Sequence, residues 1–304
     1  MVRINFDSVE FRLQSYHDFS WLQKYGSAFY AIDETGSGCI PIGVENQDRK
    51  YKYFIKIAGV NTIKAEVSPK DSISYLKNAC VLYRKIKHPN LIKIIEHYPY
   101  KNYYIAVFEW ADGECLFDHW NFQEYLANPK LKPPGVRFKL LPIDKRLKTV
   151  EILFSFLQSV AMSGYVAVDF YDGSIIYNFN TDTTTICDID LFRRKPAVND
   201  IGQSYWGTKR LKAPEEYILG ASIDERTNVF TLGALIFNFF GDYTKDDIAE
   251  RYSKNTFLPC PFEKWPLNKS CYDTLIKAVA SGTESRYQTI AEFYSAWNVA
   301  LSAE

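Results

Sequence analysis

The residues between Tyr165 and Phe192 are the ones whose types and spacing could do chemistry. Asp169 stands just ahead of an apolar run at 175–177, Asp188 and Asp190 close a second β-type run at 184–187, and turn formers at 178–182 separate the two. Pairing the runs as a hairpin brings acids that are distant in the chain onto one edge. Such an edge offers oxygen ligands to a divalent cation and a carboxylate able to accept a proton.

This spacing resembles the catalytic segment of eukaryotic-like serine/threonine protein kinases, in which H-R-D-x-x-x-x-N precedes two strands and D-F-G. The match lays Asp169 on the catalytic aspartate, Ser174 on the metal-binding asparagine and Asp188-Ile189-Asp190 on D-F-G. The resemblance implies ATP as phosphoryl donor, Asp169 as the residue that orients the attacking hydroxyl, and Asp188 as the ligand of Mg2+ or Mn2+. Ser174 and Asp190 would assist at the metal. The interval from Ser174 to Asp188 is close to the family's own, which favours Asp188 over Asp190 as principal ligand.

Further matches follow in the family's order. Tyr53-Phe54-Ile55-Lys56 resembles the V-A-I-K strand, which implies that Lys56 positions the nucleotide phosphates. Tyr25-Gly26-Ser27-Ala28-Phe29 offers one glycine, Gly26, where the family brings backbone N–H groups onto phosphates with G-x-G-x-x-G; a plain hairpin turn and a nucleotide cover both fit. His88-Pro89-Asn90-Leu91-Ile92 resembles the H-P-N-I turn after helix C. Counting back from it puts Ala79 where the glutamate partner of the strand lysine belongs. Either Glu66 steadies Lys56 instead, or Asp188 and the phosphates hold it alone.

Glu109-Trp110-Ala111-Asp112-Gly113-Glu114 resembles the hinge that joins two lobes. By that match Phe108 is the gatekeeper, Glu109 and Ala111 present backbone groups to adenine, and Glu114 reaches a ribose hydroxyl; an ordinary strand-to-helix connection is the alternative. Gly207-Thr208-Lys209-Arg210-Leu211-Lys212-Ala213-Pro214-Glu215 matches G-T-x-x-Y-x-A-P-E with leucine for tyrosine, and Thr227-Asn228-Val229-Phe230-Thr231-Leu232-Gly233 resembles S-D-V-Y-S-L-G with asparagine for the acid. The family pairs the A-P-E glutamate with a late arginine, which here implies Glu215 with Arg286.

Departures limit how far activity follows from likeness. Ala167-Val168 replace His-Arg, removing the arginine that docks an activation-loop phosphate; Tyr171 replaces the lysine typical of serine/threonine kinases; Ser174 is a weaker oxygen donor than asparagine. Three readings remain. The first is a divergent protein kinase with a protein substrate, the second a pseudokinase scaffold that binds nucleotide or protein, and the third a kinase-fold phosphotransferase acting on a small molecule.

The elements that must position these residues are readable around them. Strands are expected at 28–33, 39–44, 51–58 and 102–108, divided by turn-rich segments. Ser68 can cap a helix begun by Pro69, with Asp71 at its positive end, and Ile73, Leu76, Ala79, Cys80, Leu82, Tyr83 and Ile86 give it one apolar face. A helix over 144–163 stops at Gly164. The segment 224–240 is apolar nearly all round, which demands burial on every side, and a last helix runs to about Ala300. Prolines at 129, 133, 134 and 142 make 128–142 read as an exposed insertion. The expected fold is α+β and bilobal, like a protein kinase. A small antiparallel β-sheet lobe with one helix, residues 1–111, binds nucleotide and includes the hinge, and a larger mainly helical catalytic lobe occupies 112–304.

Composition bounds the partners. A chain of 304 residues with 47% apolar content can bury substantial cores. Its 36 basic and 36 acidic residues cancel, which argues against a general nucleic-acid or anionic-membrane binder. The six cysteines lack a C-x-x-C pair and read as reduced core residues, with a disulfide set or a zinc site as the alternative. No apolar targeting segment opens the chain and no run nears the ~20 apolar residues of a membrane span. The expectation is a cytoplasmic protein without nucleic-acid or membrane partners.

Overall fold

The computed structural model describes residues 1–48, 50–118, 121–254 and 257–303. By its internal contacts the chain divides into two compact units, Met1–Lys87 with Leu91–Ala111, and His88–Asn90 with Asp112–Glu304.

The first unit opens with a hairpin absent from the elements expected above. Strands β1 (Val2–Phe6) and β2 (Val9–Leu13) pair antiparallel, with Phe6 opposite Val9 across the tight turn Asp7-Ser8. Its signal is in the sequence, since Val2, Ile4 and Phe6, then Val9, Phe11 and Leu13, alternate with polar residues. Asp7 adopts the left-handed φ of 51° that so short a connection requires.

Strands β3 (Ser27–Ala31), β4 (Cys39–Glu45) and β5 (Lys52–Ala58) follow, then helix α1 (Pro69–Lys85), β6 (Ile94–Tyr100) and β7 (Tyr103–Glu109). The five strands form one antiparallel sheet in the order β3-β4-β5-β7-β6. One face carries Ile40, Ile42, Val44, Ile55, Ile57, Ile105 and Val107, which share a core with Ile4, Phe6, Phe11 and Leu13 of the first hairpin. The other face takes α1. Ser68 caps that helix by accepting from the Asp71 N–H at 3.2 Å. Leu76, Ala79, Cys80, Leu82 and Tyr83 are buried, and Tyr83 meets Phe108 edge-on at 4.8 Å between ring centres.

The second unit contains β8 (Glu114–Cys115), α2 (Phe122–Ala127), α3 (Pro134–Lys139), α4 (Ile143–Met162), β9 (Tyr165–Val166), β10 (Ile175–Asn178), β11 (Thr183–Ile186), β12 (Arg193–Arg194), β13 (Ala197–Val198), β14 (Ser222–Ile223), α5 (Glu225–Phe240), α6 (Lys245–Lys254), α7 (Lys269–Ala278) and α8 (Ile290–Leu301). Every residue of α5 except Glu225, Arg226 and Asn238 is buried, and the helix packs against α4, α7 and α8. Asp224 caps it by accepting from the Arg226 N–H at 2.9 Å.

The segment 128–142 is a correction. It contains α3, whose Phe138 is fully buried and meets Tyr177 and Phe239 edge-on at 5.1 and 4.9 Å. Pro134 starts that helix, because a proline in the first turn gives up no hydrogen bond and has the helical φ already set. Residues 128–132 are exposed as expected, whereas Pro133 and Pro134 mark a helix start whose Phe138 is part of the core.

Among the described residues no helix is long and apolar enough to cross a membrane. The mixed architecture, with one helix on an antiparallel sheet and a mainly helical second unit, is compatible with the kinase-like fold expected from the sequence.

Candidate active site

Helix α4 ends at Gly164, which takes a left-handed φ of 79° and turns the chain into β9. β9 pairs with β12, and Val166 and Val168 enter an apolar cluster with Ala197, Tyr205 and Ile223. Asn228 of α5 clamps the backbone between those valines. Its Oδ1 accepts from Ala167 N at 2.9 Å and its Nδ2 donates to Ala167 O at 2.6 Å. The clamp fixes the residue two positions before Asp169, so α5 sets where the acid emerges.

Asp169 has a φ of 56° and Asp188 a φ of 52°. Left-handed backbone is uncommon outside glycine and costs an L-residue ~1–2 kcal/mol, and such strain concentrates at functional sites. Both candidate acids carry it. Asp172, by contrast, is committed elsewhere. Arg210 donates to both of its oxygens, at 2.9 and 2.5 Å, while Asn238 donates at 3.3 Å.

The hairpin β10–β11 forms as expected, with Ile175 opposite Ile186. Ser174 is wholly buried, its carbonyl accepts from Cys187 N at 2.9 Å, and its Oγ has no hydrogen-bond partner among the described residues. It therefore lies beside the Asp188 segment. Ile189 is fully buried whereas Asp188 is exposed and Asp190 half-buried.

Crowding by the protein pushes the Asp169 carboxyl up to about 7, helped by the charge of Asp188 and opposed by Lys212. The charge of Asp188 thus acts on Asp169. Burial, then the charges of Asp188 and Asp169, raises the Tyr171 hydroxyl well above its ordinary range. Burial above all raises Glu216, which lies next to the A-P-E glutamate, to about 8.

A pH dependence with a definite sign follows. Unfolded carboxyls ionise near pH 4, whereas Asp169 and Glu216 keep their protons in the fold to about 7 and about 8. The folded state binds more protons across that window, so their contribution to stability is lost as pH rises from about 4 and the loss is complete above about 8. Glu216→Gln removes one of the two titrations and keeps an acceptor for the Ala213 N–H, bound at 2.7 Å. Melting temperatures from pH 5 to 9 should fall less steeply in the variant. Identical slopes would refute the assignment.

Oxygen donors from Asp188, Asp190 and Ser174 suit a hard cation, and the unpartnered, buried Ser174 Oγ fits a ligand role. Among the described residues no group of three or more His, Cys, Asp or Glu could hold a metal. Mg2+ takes one or two carboxylates and completes its shell with phosphate and water. Because the charge of Asp188 acts on Asp169 and that of Asp190 is not seen to, Asp188→Asn should reduce metal-dependent nucleotide affinity more than Asp190→Asn does. Calorimetric titration with and without Mg2+ checks this, and a larger loss at position 190 would reverse the two roles.

The remaining expected residues lie in the first unit, apart from Glu114. Lys56 sits in β5 between Pro41 and Ala106, on the α1 face of the sheet together with the buried Ala79. Glu66 lies in the loop before α1, exposed, with its N–H bound to Gly36 O at 2.9 Å. The N–H groups of Glu109 and Trp110 bond Lys93 O and Lys52 O at 2.9 and 3.2 Å, so an adenine here would have the Glu109 carbonyl and the Ala111 backbone to meet. The Glu114 carboxylate is paired with Arg137, so a ribose contact would have to share it.

Gly26 is placed differently from expectation. It precedes β3 at the Glu109 end of the sheet, outside the turn at 32–38 that joins β3 to β4. Its φ is 128°, and a Cβ there would collide with the Glu45 carbonyl, so the glycine has a packing reason. The turn itself is acidic. Asp33 accepts from Arg12 N and Nε at 2.7 and 3.1 Å, and Glu34 pairs with Arg12 and Lys64.

Sequence reasoning missed Lys212, Glu216 and the Arg210–Asp172 pair. Lys212 and Arg210 fall on variable positions of the G-T-x-x-Y-x-A-P-E pattern, and only the fold reveals what they face. Asn228 was visible as a substituted motif residue, but its clamp on Ala167 was not.

No protein-family model matches the chain. Over 198 residues, 62% of its length, it is 26% identical to calcium-dependent protein kinase 5 of Plasmodium falciparum (isolate 3D7). Over 199 residues it is 25% identical to the protein of the same name from Plasmodium berghei (strain Anka). The likeness supports a relationship to protein kinases. The aligned region spans about a third of each relative, 31% and 32%.

Proposed function

We propose that the chain is a divergent serine/threonine protein kinase that transfers the γ-phosphate of ATP to a protein hydroxyl. The observation that carries this reading is the pair Asp169 and Asp188, both in left-handed backbone and electrostatically coupled, with Asp169 titrating at about 7. A base is most effective when its pKa lies near the working pH. Asp169 aligns the acceptor hydroxyl and takes its proton, while the acceptor oxygen bonds to the γ-phosphorus and the bridging P–O bond to ADP breaks. Asp188 and Ser174 would hold a divalent cation, which would neutralise charge on the phosphates. Lys56 is the phosphate-binding lysine in this reading, and Glu109 and Ala111 receive adenine.

A second reading, a scaffold that has lost turnover, is favoured by one observation. The β3–β4 turn carries Asp33 and Glu34 and is tied down by Thr62 Oγ1 to Thr35 O at 2.7 Å and Glu66 N to Gly36 O, a poor cover for phosphates.

Incubation with γ-labelled ATP and Mg2+ or Mn2+, with and without a generic protein acceptor, separates the two. Label transfer by the wild-type chain and none by Asp169→Asn is the expected result; no transfer under any condition leaves the scaffold. Binding is tested apart from chemistry. A ligand at 100-fold over its Kd stabilises the native state by about 2.7 kcal/mol, so saturating Mg-ATP should raise the melting temperature. An unchanged melt with both Mg-ATP and Mn-ATP would count against a nucleotide site.

A further inference from the structure

We infer that Arg210 is a positioning residue: by gripping Asp172 it fixes the loop that carries Asp169 and Ser174. The inference rests on the kinase reading and deepens it by adding a residue to that site. Arg210 comes from the G-T-x-x-Y-x-A-P-E segment, 38 residues from Asp172 in the chain, so the contact joins two segments that the sequence keeps apart.

The grip is bidentate, with Nη1 donating to Asp172 Oδ2 at 2.9 Å and Nη2 to Oδ1 at 2.5 Å. A planar guanidinium that meets both oxygens of a carboxylate fixes its orientation as well as its place. Water has little access to the pair, since the side chains are 12% and 6% exposed. The guanidinium also lies 4.2 Å from the centre of the Phe117 ring, which meets Tyr171 edge-on at 6.2 Å. The loop follows Asp172 closely. Residues Asp172–Ser174 make one 3-10 turn, Ser174 N donates to Tyr171 O at 2.9 Å, and a Cβ at Gly173 would collide with the Tyr171 ring.

Two clamps thus bracket Asp169. Upstream, Asn228 holds both backbone groups of Ala167; downstream, Arg210 and Asn238 hold the Asp172 carboxylate. Both asparagines stand on α5, whose near-complete burial makes it a fixed support. Between the clamps the backbone of Asp169 keeps its left-handed φ of 56°, a conformation that persists only where the surroundings over-determine it. With the downstream clamp opened, that residue would be free to relax and carry its carboxylate out of line.

The test compares full-length Arg210→Gln, Arg210→Lys, Asp172→Asn and the double variant that joins Arg210→Gln to Asp172→Asn, each assayed well below its melting temperature. Misplacing a reacting group by about 1 Å costs up to about 100-fold, so Arg210→Gln should lower kcat about 10- to 100-fold with the KM for ATP within about twofold. Lysine keeps the charge without the fork and should recover part of the loss. Because Arg210 acts through Asp172, the double variant should be no slower than the slower single one. Wild-type kcat in Arg210→Gln, an equal rise in the KM for ATP, a Lys variant no better than Gln, or losses that multiply in the double variant would each overturn the inference. If Arg210→Gln fails to fold, Arg210→Lys and Asp172→Asn decide, both expected to be slow with the KM for ATP kept. Hydrogen exchange gives a readout without turnover. The amides of Ser174 and Cys187, bonded to Tyr171 O and Ser174 O, should exchange faster in Arg210→Gln and Asp172→Asn. Unchanged exchange in an active enzyme would overturn the clamp alone, whereas a wild-type chain that transfers no phosphate would overturn the kinase reading and with it the role of Arg210 in turnover.

Discussion

Asp169→Asn is expected to lower kcat by 10²–10⁴-fold, roughly 3–5 kcal/mol of barrier, with nucleotide affinity nearly kept. The carboxylate acts on a hydroxyl that becomes acidic only as the P–O bond forms, so its loss is felt in the transition state and little in bound ATP. The acidic limb of the pH–rate profile, centred near the Asp169 value of about 7, should vanish with it. Lys56→Met should behave differently, weakening both nucleotide placement and turnover, since that lysine would touch phosphates in the ground state. Wild-type turnover matched by Asp169→Asn would make the acid structural. The neighbouring Asp172 is an unsuitable substitute base, because Arg210 engages both of its oxygens. Asp172→Asn should therefore lower stability and leave the shape of the pH profile alone.

Arg286→Met should destabilise the second unit by about 3–5 kcal/mol, because it strands the buried carboxylate of Glu215. The pair is bidentate at 2.7 and 2.9 Å, with the arginine side chain wholly buried and that of the glutamate 8% exposed. Arg286 also donates to the carbonyls of Ala280, Ser281 and Arg226, at 2.7, 3.0 and 3.2 Å. A unit of this size loses ~2–4 °C in Tm per kcal/mol, so the melt should drop by roughly 10 °C. Adding Glu215→Gln should recover part of that, since the stranded charge is gone. A single variant that melts within about 2 °C of wild type, less than one kcal/mol, would show that solvent reaches the pair.

The Glu215–Arg286 pair was legible in the sequence because a spaced motif named both partners. The hairpin β10–β11 and α1 were legible for a different reason, since turn residues, a capping serine and apolar periodicity are local signals. Phe138 shows where locality ends. Its surroundings are rich in proline and read as exposed, yet it is buried against Tyr177 and Phe239, partners remote in sequence. Gly26 shows the opposite error, a motif residue whose conformation answers to the Glu45 backbone on the adjacent strand. In the candidate site the acids could be named from spacing, but left-handed backbone, coupled charges and the unpartnered Ser174 Oγ are properties of three-dimensional crowding. No one-residue pattern encodes them.

The short run His88–Asn90 belongs to the second unit although the chain on either side of it belongs to the first. Asn90 donates from Nδ2 to Thr184 O at 2.9 Å, and its carbonyl accepts from Ile186 N at 2.7 Å. β11 is the outer strand of its small sheet, and an outer strand left bare invites pairing with other chains. Asn90 of the upstream sequence thus acts as a clasp along that strand, one residue from Cys187 and two from Asp188. A fragment begun at Asp112 would be made without its clasp, and one ended at Ala111 would carry the clasp away. The polypeptide is threaded, so the border at Ala111 is no place to cut it into self-sufficient pieces.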